Sequence, residues 1–389
     1  MTVRKRFKRL VRGRAGATGE SYTTALAHFR RIAEEANMSQ ASDRFLGLED
    51  SEYEQMGSLD GLRPEMVTEA LRRVGSSSQV TACEQARQSR YNFSYDIVLD
   101  GAPAALNVWC GASPAGAEAE LALRRRLVSC GLPVQRALVP AADERLTVGG
   151  QPAVVLERIE GEEGPNYVPT KVSDTYVETA AAVARLVAKM QVSAMGLEEL
   201  DYREPPWLSN LASWKTELDM AKADGRAMAA LDAIDSAARR FQVFCDGARL
   251  PVGVAHGCPG PWTVLVDDAR QIVALLELDS AHRDHLVFDV AHLITQWGQV
   301  AVSETKSRFE PVLVERILKE YSAVRPLSVA EREALVTAVP LRHCIDLLRI
   351  WNAVGNKQLV PFSWSEYLDR MQVERFEDSE WRELVMGVG

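Results

Sequence analysis

Hydrophobic and polar positions in the first half of the chain alternate in short runs that predict the strands of a small sheet. These runs lie at residues 79–83, 92–99, 104–109, 136–139 and 152–157. Asp100-Gly101 separates the second run from the third, and this dipeptide is a strong β-hairpin signal. Apolar residues at helical spacing predict helices over 64–74 and 115–128. The pattern therefore predicts an α+β unit with an antiparallel sheet over residues 63–161.

From residue 162 onward the hydrophobic period becomes mainly helical. Helices are predicted over 172–190, 211–222, 228–244, 286–300, 309–321, 329–354 and 364–373. Short apolar runs at 253–256, 263–266 and 272–278 predict a few strands among them. The stretch RIEGEEGP at 158–165 is rich in Gly and Glu and is typical of a connector. A small sheet lobe joined to a large helical lobe, 162–389, predicts a cleft where a ligand binds.

Residues 1–62 are predicted to form a basic helical extension and a polar linker. The first 14 residues carry seven Lys or Arg and no acid, whereas the whole chain has a net charge of −9, which leaves −16 on the rest. So acidic a body binds nucleic acid or anionic lipid poorly. Only the arm at 1–14 is suited to an acidic partner or nucleic acid, and the alternative is that it is simply a solvated face.

Composition is that of a globular protein, with 389 residues, 47% hydrophobic and 25% charged. The length predicts two domains besides the extension. No run of eighteen apolar residues and no signal peptide are present, so we expect a cytoplasmic protein without a membrane span. Six cysteines without a CxxC pair predict reduced thiols rather than a disulfide framework or a zinc site.

The stretch at 253–297 carries the most specific pattern in the chain. It contains His256-Gly257, Pro261, two apolar strands and then Phe288-Asp289-Val290-Ala291. This order resembles the catalytic segment of the aminoglycoside phosphotransferase and choline/homoserine kinase superfamily, whose members have a protein-kinase-like fold. The run 118–134 is similar to the family's helix and following "GLPVP" turn, and VVLERIEG at 154–161 is similar to its hinge. The resemblance covers about residues 65–355 and implies a small antiparallel-sheet N-lobe and a larger, mainly helical C-lobe.

The residues at the chemical positions of that family are altered in this chain. Phosphoryl transfer requires a carboxylate for the attacking hydroxyl, an Asn and an Asp for magnesium, and a Lys steadied by a Glu for the phosphates. The resemblance puts Cys258 at the base, Thr263 and Glu277 at the metal positions, Asn107 at the lysine and Glu120 at the steadying glutamate. The phosphate-loop region, 86–95, contains no glycine. Glu277 could supply one carboxylate for magnesium, and Asp279 another if the turn slips by two residues.

Three more positions have a role by resemblance. His256 corresponds to a framework histidine of the catalytic loop, Asp289 to the aspartate that anchors this loop, and Glu157 lies at a nucleotide-binding position of the hinge. Alternatives stay open for two groups. Cys258 beside His256 could act as a nucleophile. His282, His285 and His292 could bind a metal, although no HxxxH or HExxH spacing occurs.

The altered positions predict a pseudokinase, a kinase fold that has lost phosphoryl transfer. Its expected role is that of a scaffold or regulatory subunit that binds a partner protein or peptide. By analogy with kinase-like proteins of class V lanthipeptide pathways, the partner would be an intact kinase, a lyase or a precursor peptide. No cofactor is expected, and residual binding of ATP and Mg²⁺ stays open. The alternative is a divergent, active ATP-dependent phosphotransferase for a small hydroxylated or amino compound.

Overall fold

Two compact units make up the part of the chain that the structure, a computed structural model, describes. The described residues are 62–88, 92–109, 114–139, 145–165, 168–202, 238–239, 241–245, 247–303, 306–354 and 378–387. The N-terminal unit contains the described residues up to Gly161, together with Glu199–Tyr202 and Val273–Asp279. The C-terminal unit contains the others. Within the described ranges, no helix combines the length and the apolar content that a membrane span requires.

The N-terminal unit is built on an antiparallel sheet. Its elements are α1 (Pro64–Arg73), β1 (Val80–Gln88), β2 (Asn92–Leu99), β3 (Ala102–Trp109), α2 (Pro114–Ser129), β4 (Ala137–Val139), β5 (Thr147–Val148) and β6 (Gln151–Glu157). The strand order is β1-β2-β3-β6-β4, and β5 pairs with β6. Asp100 and Gly101 form the tight turn between β2 and β3 with φ values of 50° and 82°. The carboxylate of Asp100 accepts a hydrogen bond from the Gln79 backbone N–H at 2.8 Å, which lowers the pKa of this side chain.

The two faces of this sheet pack against different cores. Because side chains alternate along a strand, Leu106 and Val108 of β3 join the core that contains α1. Trp109 belongs to the opposite core, which contains Leu121 of α2. Asn107 has the same parity as Trp109 and therefore lies on the α2 face of the sheet. This side of the sheet carries Asn107 and, on α2, Glu120, two of the three positions that the family resemblance assigns to nucleotide binding, whereas Glu157 pairs with Ala104 and lies on the α1 face.

The C-terminal unit is mainly helical and contains three small strand pairings. Its elements, with β10 of the N-terminal unit in chain order, are β7 (Glu162–Glu163), α3 (Asp174–Ser193), β8 (Val252–Ala255), β9 (Val264–Val266), β10 (Ile272–Leu275), β11 (His282–His285), α4 (Val287–Trp297), β12 (Gln299–Ser303), β13 (Lys306–Phe309), α5 (Pro311–Ser322), α6 (Val329–Val354) and α7 (Asp378–Gly387). Strand β7 pairs with β9, β8 with β11, and β12 with β13. Ser173 caps α3 by accepting a hydrogen bond from the Tyr176 N–H at 3.2 Å. Helix α4 is almost completely buried.

Most predicted elements in the described residues are confirmed, but several boundaries need correction, among them the strand predicted over 79–83, which extends to Gln88, and the helix predicted over 172–190, which runs over Asp174–Ser193. The helix predicted over 286–300 ends at Trp297, because Gly298 leaves the helix and Val300 belongs to the hairpin of β12 and β13. The strand predicted over 272–278 ends at Leu275, because Glu277 adopts a left-handed backbone and a 3₁₀ turn follows at Leu278–Ser280. The helix predicted from residue 309 begins at Pro311.

Some predicted elements cannot be compared with the structure. The helices predicted over 1–36, 211–222 and 364–373, and most of 228–244, lie outside the described residues. The elements that were not predicted are the two-residue strands β5 and β7, strand β11, the hairpin of β12 and β13, and α7. Strand β11 has the sequence HRDH, whose charged and polar character gives no strand signal.

Candidate functional site

The buried carboxylate of Asp289 holds the loop that follows β8. Asp289 lies in the first turn of α4 and is 2% exposed. It accepts hydrogen bonds from the backbone N–H groups of His256 and Gly257 at 2.7 and 2.9 Å. The Nε2 of Gln191 on α3 donates a third bond at 3.0 Å. Because charge-assisted bonds to a buried carboxylate are strong, the backbone at 256–257 has one well-defined position.

A chain of hydrogen bonds continues from Gln191 through the C-terminal unit. The amide nitrogen of Gln191 donates to Asp289, and its Oε1 accepts a hydrogen bond from the hydroxyl of Tyr321 on α5. Burial raises the pKa of Tyr321, so this hydroxyl stays protonated and remains a donor. Arg325 donates to the Tyr321 oxygen at 3.0 Å and to the carboxylate of Glu331 on α6 at 2.5 Å. The position of the loop is therefore tied through α4 to three further helices, α3, α5 and α6.

His256 and Cys258 are close to each other, and a hydrogen bond within the loop joins them. The backbone N–H of Cys258 donates to Nδ1 of His256 at 3.3 Å, and both side chains are buried. A neutral His256 with Nδ1 as acceptor carries its proton on Nε2. Nδ1 is therefore engaged by the backbone and is not positioned as a base for the Cys258 thiol.

Gly257 and His282 pack against each other beneath the loop. Gly257 has a φ of +81°, and a Cβ atom there would come within 2.5 Å of the Ser280 carbonyl oxygen, so only glycine fits. Nδ1 of His282 lies 2.8 Å from the same oxygen, and its Nε2 lies 3.4 Å from Asp284. Burial by itself lowers the pKa of His282, but the hydrogen bond and charge of Asp284, the hydrogen bond to the Ser280 carbonyl and the charge of Asp289 together raise it above the ordinary value.

The remainder of the loop is held by one bond within the loop and one from α4. The hydroxyl of Thr263, which is completely buried, donates to the Gly260 carbonyl at 2.7 Å. The indole N–H of Trp297 donates to the Pro259 carbonyl at 3.0 Å. Thr263 therefore serves as a turn residue in this structure.

The histidines that suggested a metal site do not assemble one. His285 belongs to β11, before α4 begins at Val287, so it does not share a helix face with His292. His292 instead bridges the Gly257 carbonyl, at 3.2 Å, and Arg342 of α6, at 3.3 Å. Among the residues that the structure describes, no group of three His, Cys, Asp or Glu side chains is arranged to hold a metal ion.

In the N-terminal unit, Glu120 forms hydrogen bonds with Trp109 and Arg124 rather than with residue 107. Its carboxylate accepts hydrogen bonds from the indole of Trp109 at 2.5 Å and from Arg124, one helical turn later, at 2.7 Å. Glu120 and Arg124 are 5% and 3% exposed. Asn107 accepts a bond from Ser94 at 2.9 Å, and within the described ranges no hydrogen bond or ion pair joins it to Glu120. The charge of Glu120 is thus neutralised inside its own helix.

The other predicted positions of the N-terminal unit lie at the ends of strands. Glu157, the last residue of β6, accepts the backbone N–H of Arg136 at 2.8 Å. Glu277 has a φ of 58°, an unusual left-handed conformation for a non-glycine residue. Asp279 lies two residues later, in the 3₁₀ turn. The structure therefore joins Glu157 to the segment after α2 and leaves Glu277 on a strained turn.

Sequence reasoning missed three residues of these networks. Arg124 has a signal, since it follows Glu120 at the i, i+4 spacing of helical ion pairs. Gln191 and Tyr321 have none, because Gln191 lies 98 positions from Asp289 and Tyr321 lies 130 positions from Gln191.

The residues at the family's metal positions fit magnesium poorly. Magnesium prefers hard oxygen ligands and is usually held by one or two carboxylates. Of the two metal positions, Thr263 has its hydroxyl already engaged with Gly260, which leaves Glu277 as the single carboxylate there. For this reason we derive no chemical step through a bound magnesium ion.

Comparison with known proteins identifies the fold as protein-kinase-like. The chain is similar to an aminoglycoside phosphotransferase from Alicyclobacillus acidocaldarius, with a TM-score of 0.53 and 15% identity, covering 85% of this chain and 96% of that one. LicA in complex with AMP gives a TM-score of 0.54 at 14% identity, covering 84% and 100%. Choline kinase from Cryptosporidium parvum gives 0.50 at 12% identity, covering 84% and 98%.

The sequence itself decides the family. Residues 95–327 match the model of the phosphotransferase enzyme family, which is more than half of the chain, so the chain belongs to this family. No curated protein is similar to it in sequence. The resemblance to the superfamily is thereby confirmed, whereas the loss of phosphoryl transfer stays a prediction.

Replacing Asp289 by Asn should destabilise the protein by about 2–3 kcal/mol, because the new NH₂ group faces a backbone N–H that needs an acceptor. Urea unfolding measures this change. Asp174→Asn is a matched control in the exposed first turn of α3, where the change should stay within about 0.5 kcal/mol. Equal stabilities of the two variants would contradict the anchoring role of Asp289.

The His282–Asp284 pair should make stability depend on pH. Because folding raises the pKa of His282, its contribution is complete below the unfolded-state value of about 6.5 and is lost as the pH rises through the folded-state pKa. From pH 6 to 8 the wild type should therefore lose more stability than His282→Asn, by about 1.4 kcal/mol per unit of raised pKa. Urea unfolding at pH 6, 7 and 8 tests this, and parallel pH profiles would refute it.

Proposed function

We propose that this member of the phosphotransferase family no longer transfers phosphate and instead binds a partner protein or peptide as a cytoplasmic scaffold or regulatory subunit. The observation that carries the proposal is the internal neutralisation of Glu120 by Arg124 and Trp109. In an active enzyme this carboxylate would steady a lysine that binds the nucleotide's phosphates. Here it has no lysine to support, because residue 107 is an asparagine bonded to Ser94.

The catalytic-loop region supports the same conclusion. The loop is anchored by Asp289 through two backbone bonds, yet Cys258 occupies the base position and Thr263 donates to the loop itself. Loss of a general base costs about 10²–10⁴-fold in rate, and loss of electrostatic stabilisation adds further factors. An intact framework with altered chemical groups is what a protein retained for binding requires.

A peptide-modifying complex fits such a protein. Kinase-like proteins of this superfamily act beside separate lyases and cyclases in class V lanthipeptide pathways, and this setting comes by analogy. The partner would then be an intact kinase, a lyase or a precursor peptide. The basic arm at 1–14, outside the described residues, would add electrostatic attraction to an acidic partner or to nucleic acid.

One observation favours a second function, that of a divergent phosphotransferase. Glu277 holds a left-handed backbone with a φ of 58°. Such conformations cost on the order of 1–3 kcal/mol and cluster at functional sites. In this second hypothesis Glu277 and Asp279 would bind magnesium, and the substrate would be a small hydroxylated or amino compound.

Nucleotide binding separates the two functions. At about 1 mM ATP with Mg²⁺, a scaffold should show a rise in Tm of less than about 1 °C and no turnover of γ-labelled ATP. A protein that binds ATP would instead be stabilised, by about 2.7 kcal/mol when ATP is present at about 100 times its Kd. Differential scanning fluorimetry gives the first readout. A rise of several degrees that disappears in Glu277→Ala but persists in Asp268→Ala, an exposed acid in the turn before β10, would favour the phosphotransferase.

Partner binding tests the scaffold role directly. Peptides and enzymes encoded beside this chain should form a complex with it at micromolar Kd or tighter, measured by isothermal titration calorimetry without nucleotide. A scrambled peptide serves as the control. Deletion of residues 1–14 should remove only the salt-sensitive part of the affinity, which is the part lost when the salt concentration rises from about 50 to about 300 mM. If every candidate leaves the chain unbound, the scaffold proposal fails.

A further inference from the structure

The ion pair between Glu120 and Arg124 belongs to a network that extends beyond α2. Besides its bond to Glu120, the Arg124 guanidinium donates to the Gln135 carbonyl at 3.1 Å, in the turn that follows the helix. The side chain of Gln135 donates to the Glu157 carbonyl at 3.1 Å, at the end of β6. One buried arginine thus connects α2 with this turn and, through Gln135, with β6.

The same turn also holds the segment that carries Glu277. The Leu275 N–H donates to the Pro133 carbonyl at 2.7 Å, and Val134 forms a parallel bridge with Leu275. Glu277 follows two residues later. The helix, the turn at 132–136 and the segment 273–279 are therefore parts of one hydrogen-bonded assembly inside the N-terminal unit.

A buried carboxylate such as Glu120 needs a cation, because an isolated charge in the protein interior is costly. Asn107 cannot supply one, although it lies on the α2 face of β3 two residues before Trp109, which contacts Glu120. Arg124 supplies the charge from the same helix, so its position does not depend on any molecule outside the chain.

We propose that Arg124 takes the place of the missing strand lysine as the partner of Glu120 and locks α2, the turn at 132–136 and the segment 273–279 in one arrangement without a nucleotide. Arg124 is a positioning residue in this role. The inference deepens the proposed function and rests on it, because a lobe that is ordered permanently is suited to constant partner binding. The test of the Arg124 inference uses no nucleotide, so this inference and the proposed loss of phosphoryl transfer can fail separately.

The experiment compares four variants of the full chain by amide hydrogen exchange and urea unfolding. Arg124→Met removes the cation but keeps a long apolar side chain. Glu120→Gln with Arg124→Met removes both charges, and Asn107→Lys with Arg124→Met moves the cation to β3. Arg126→Met, at an exposed position of the same helix, is the matched control.

Arg124→Met should increase exchange in 114–136 and 273–279 by about 10-fold or more, with exchange in α4 unchanged. Asn107→Lys should restore protection in the Arg124→Met background to within about 3-fold of the wild type, and Arg126→Met should match the wild type. If Arg124→Met does not fold, recovery of folding by Asn107→Lys is the supporting result, with the doubly neutral variant as the reference for stability. Wild-type protection in Arg124→Met, or no recovery by Asn107→Lys, would overturn the proposal.

Discussion

The C-terminal unit depends on the buried carboxylate of Asp289. Three donors converge on it, two from the loop after β8 and one from α3, so the loop cannot move without leaving a buried charge unsatisfied. The bond from α3 also decides which group donates in the next one. Because the amide nitrogen of Gln191 donates to Asp289, Gln191 accepts a hydrogen bond from Tyr321 through its oxygen. This series of hydrogen bonds ends at Glu331, which forms a capping box with Ser328 at the start of α6.

The N-terminal unit also has a buried carboxylate at its centre, but with a different consequence. Asp289 is neutralised mainly by backbone donors, so it determines the path of the chain. Glu120 is neutralised by Arg124 and Trp109, so it determines how a helix lies on a sheet. In both units the polar groups nearest the expected chemistry bond to the protein itself. This shared property is the physical basis of the proposal that the chain binds a partner rather than transferring phosphate.

Local sequence patterns predicted many elements well. The hairpin at Asp100-Gly101 and the helix Val329–Val354 appear where their signals place them, since turn chemistry and helical periodicity act over a few residues. The hairpin of β12 and β13 was missed because Val300 continues the apolar spacing of α4 and hides the helix end at Gly298. The motif at 256–289 indicated the family correctly because its glycine and aspartate meet a strict backbone requirement.

The sequence by itself determined the α+β class, the family and the identity of the groups at each chemical position. Only the tertiary structure decided which partner each group has. The bond between Asp289 and Gln191 joins residues 98 positions apart, and the left-handed conformation of Glu277 follows no local propensity. Periodicity reports the burial of a face, whereas the pairing of polar groups depends on which elements pack together. The sequence shows that Glu120 has no lysine at position 107, whereas the fold shows that Arg124 neutralises it. These two descriptions of Glu120 imply different chemistry.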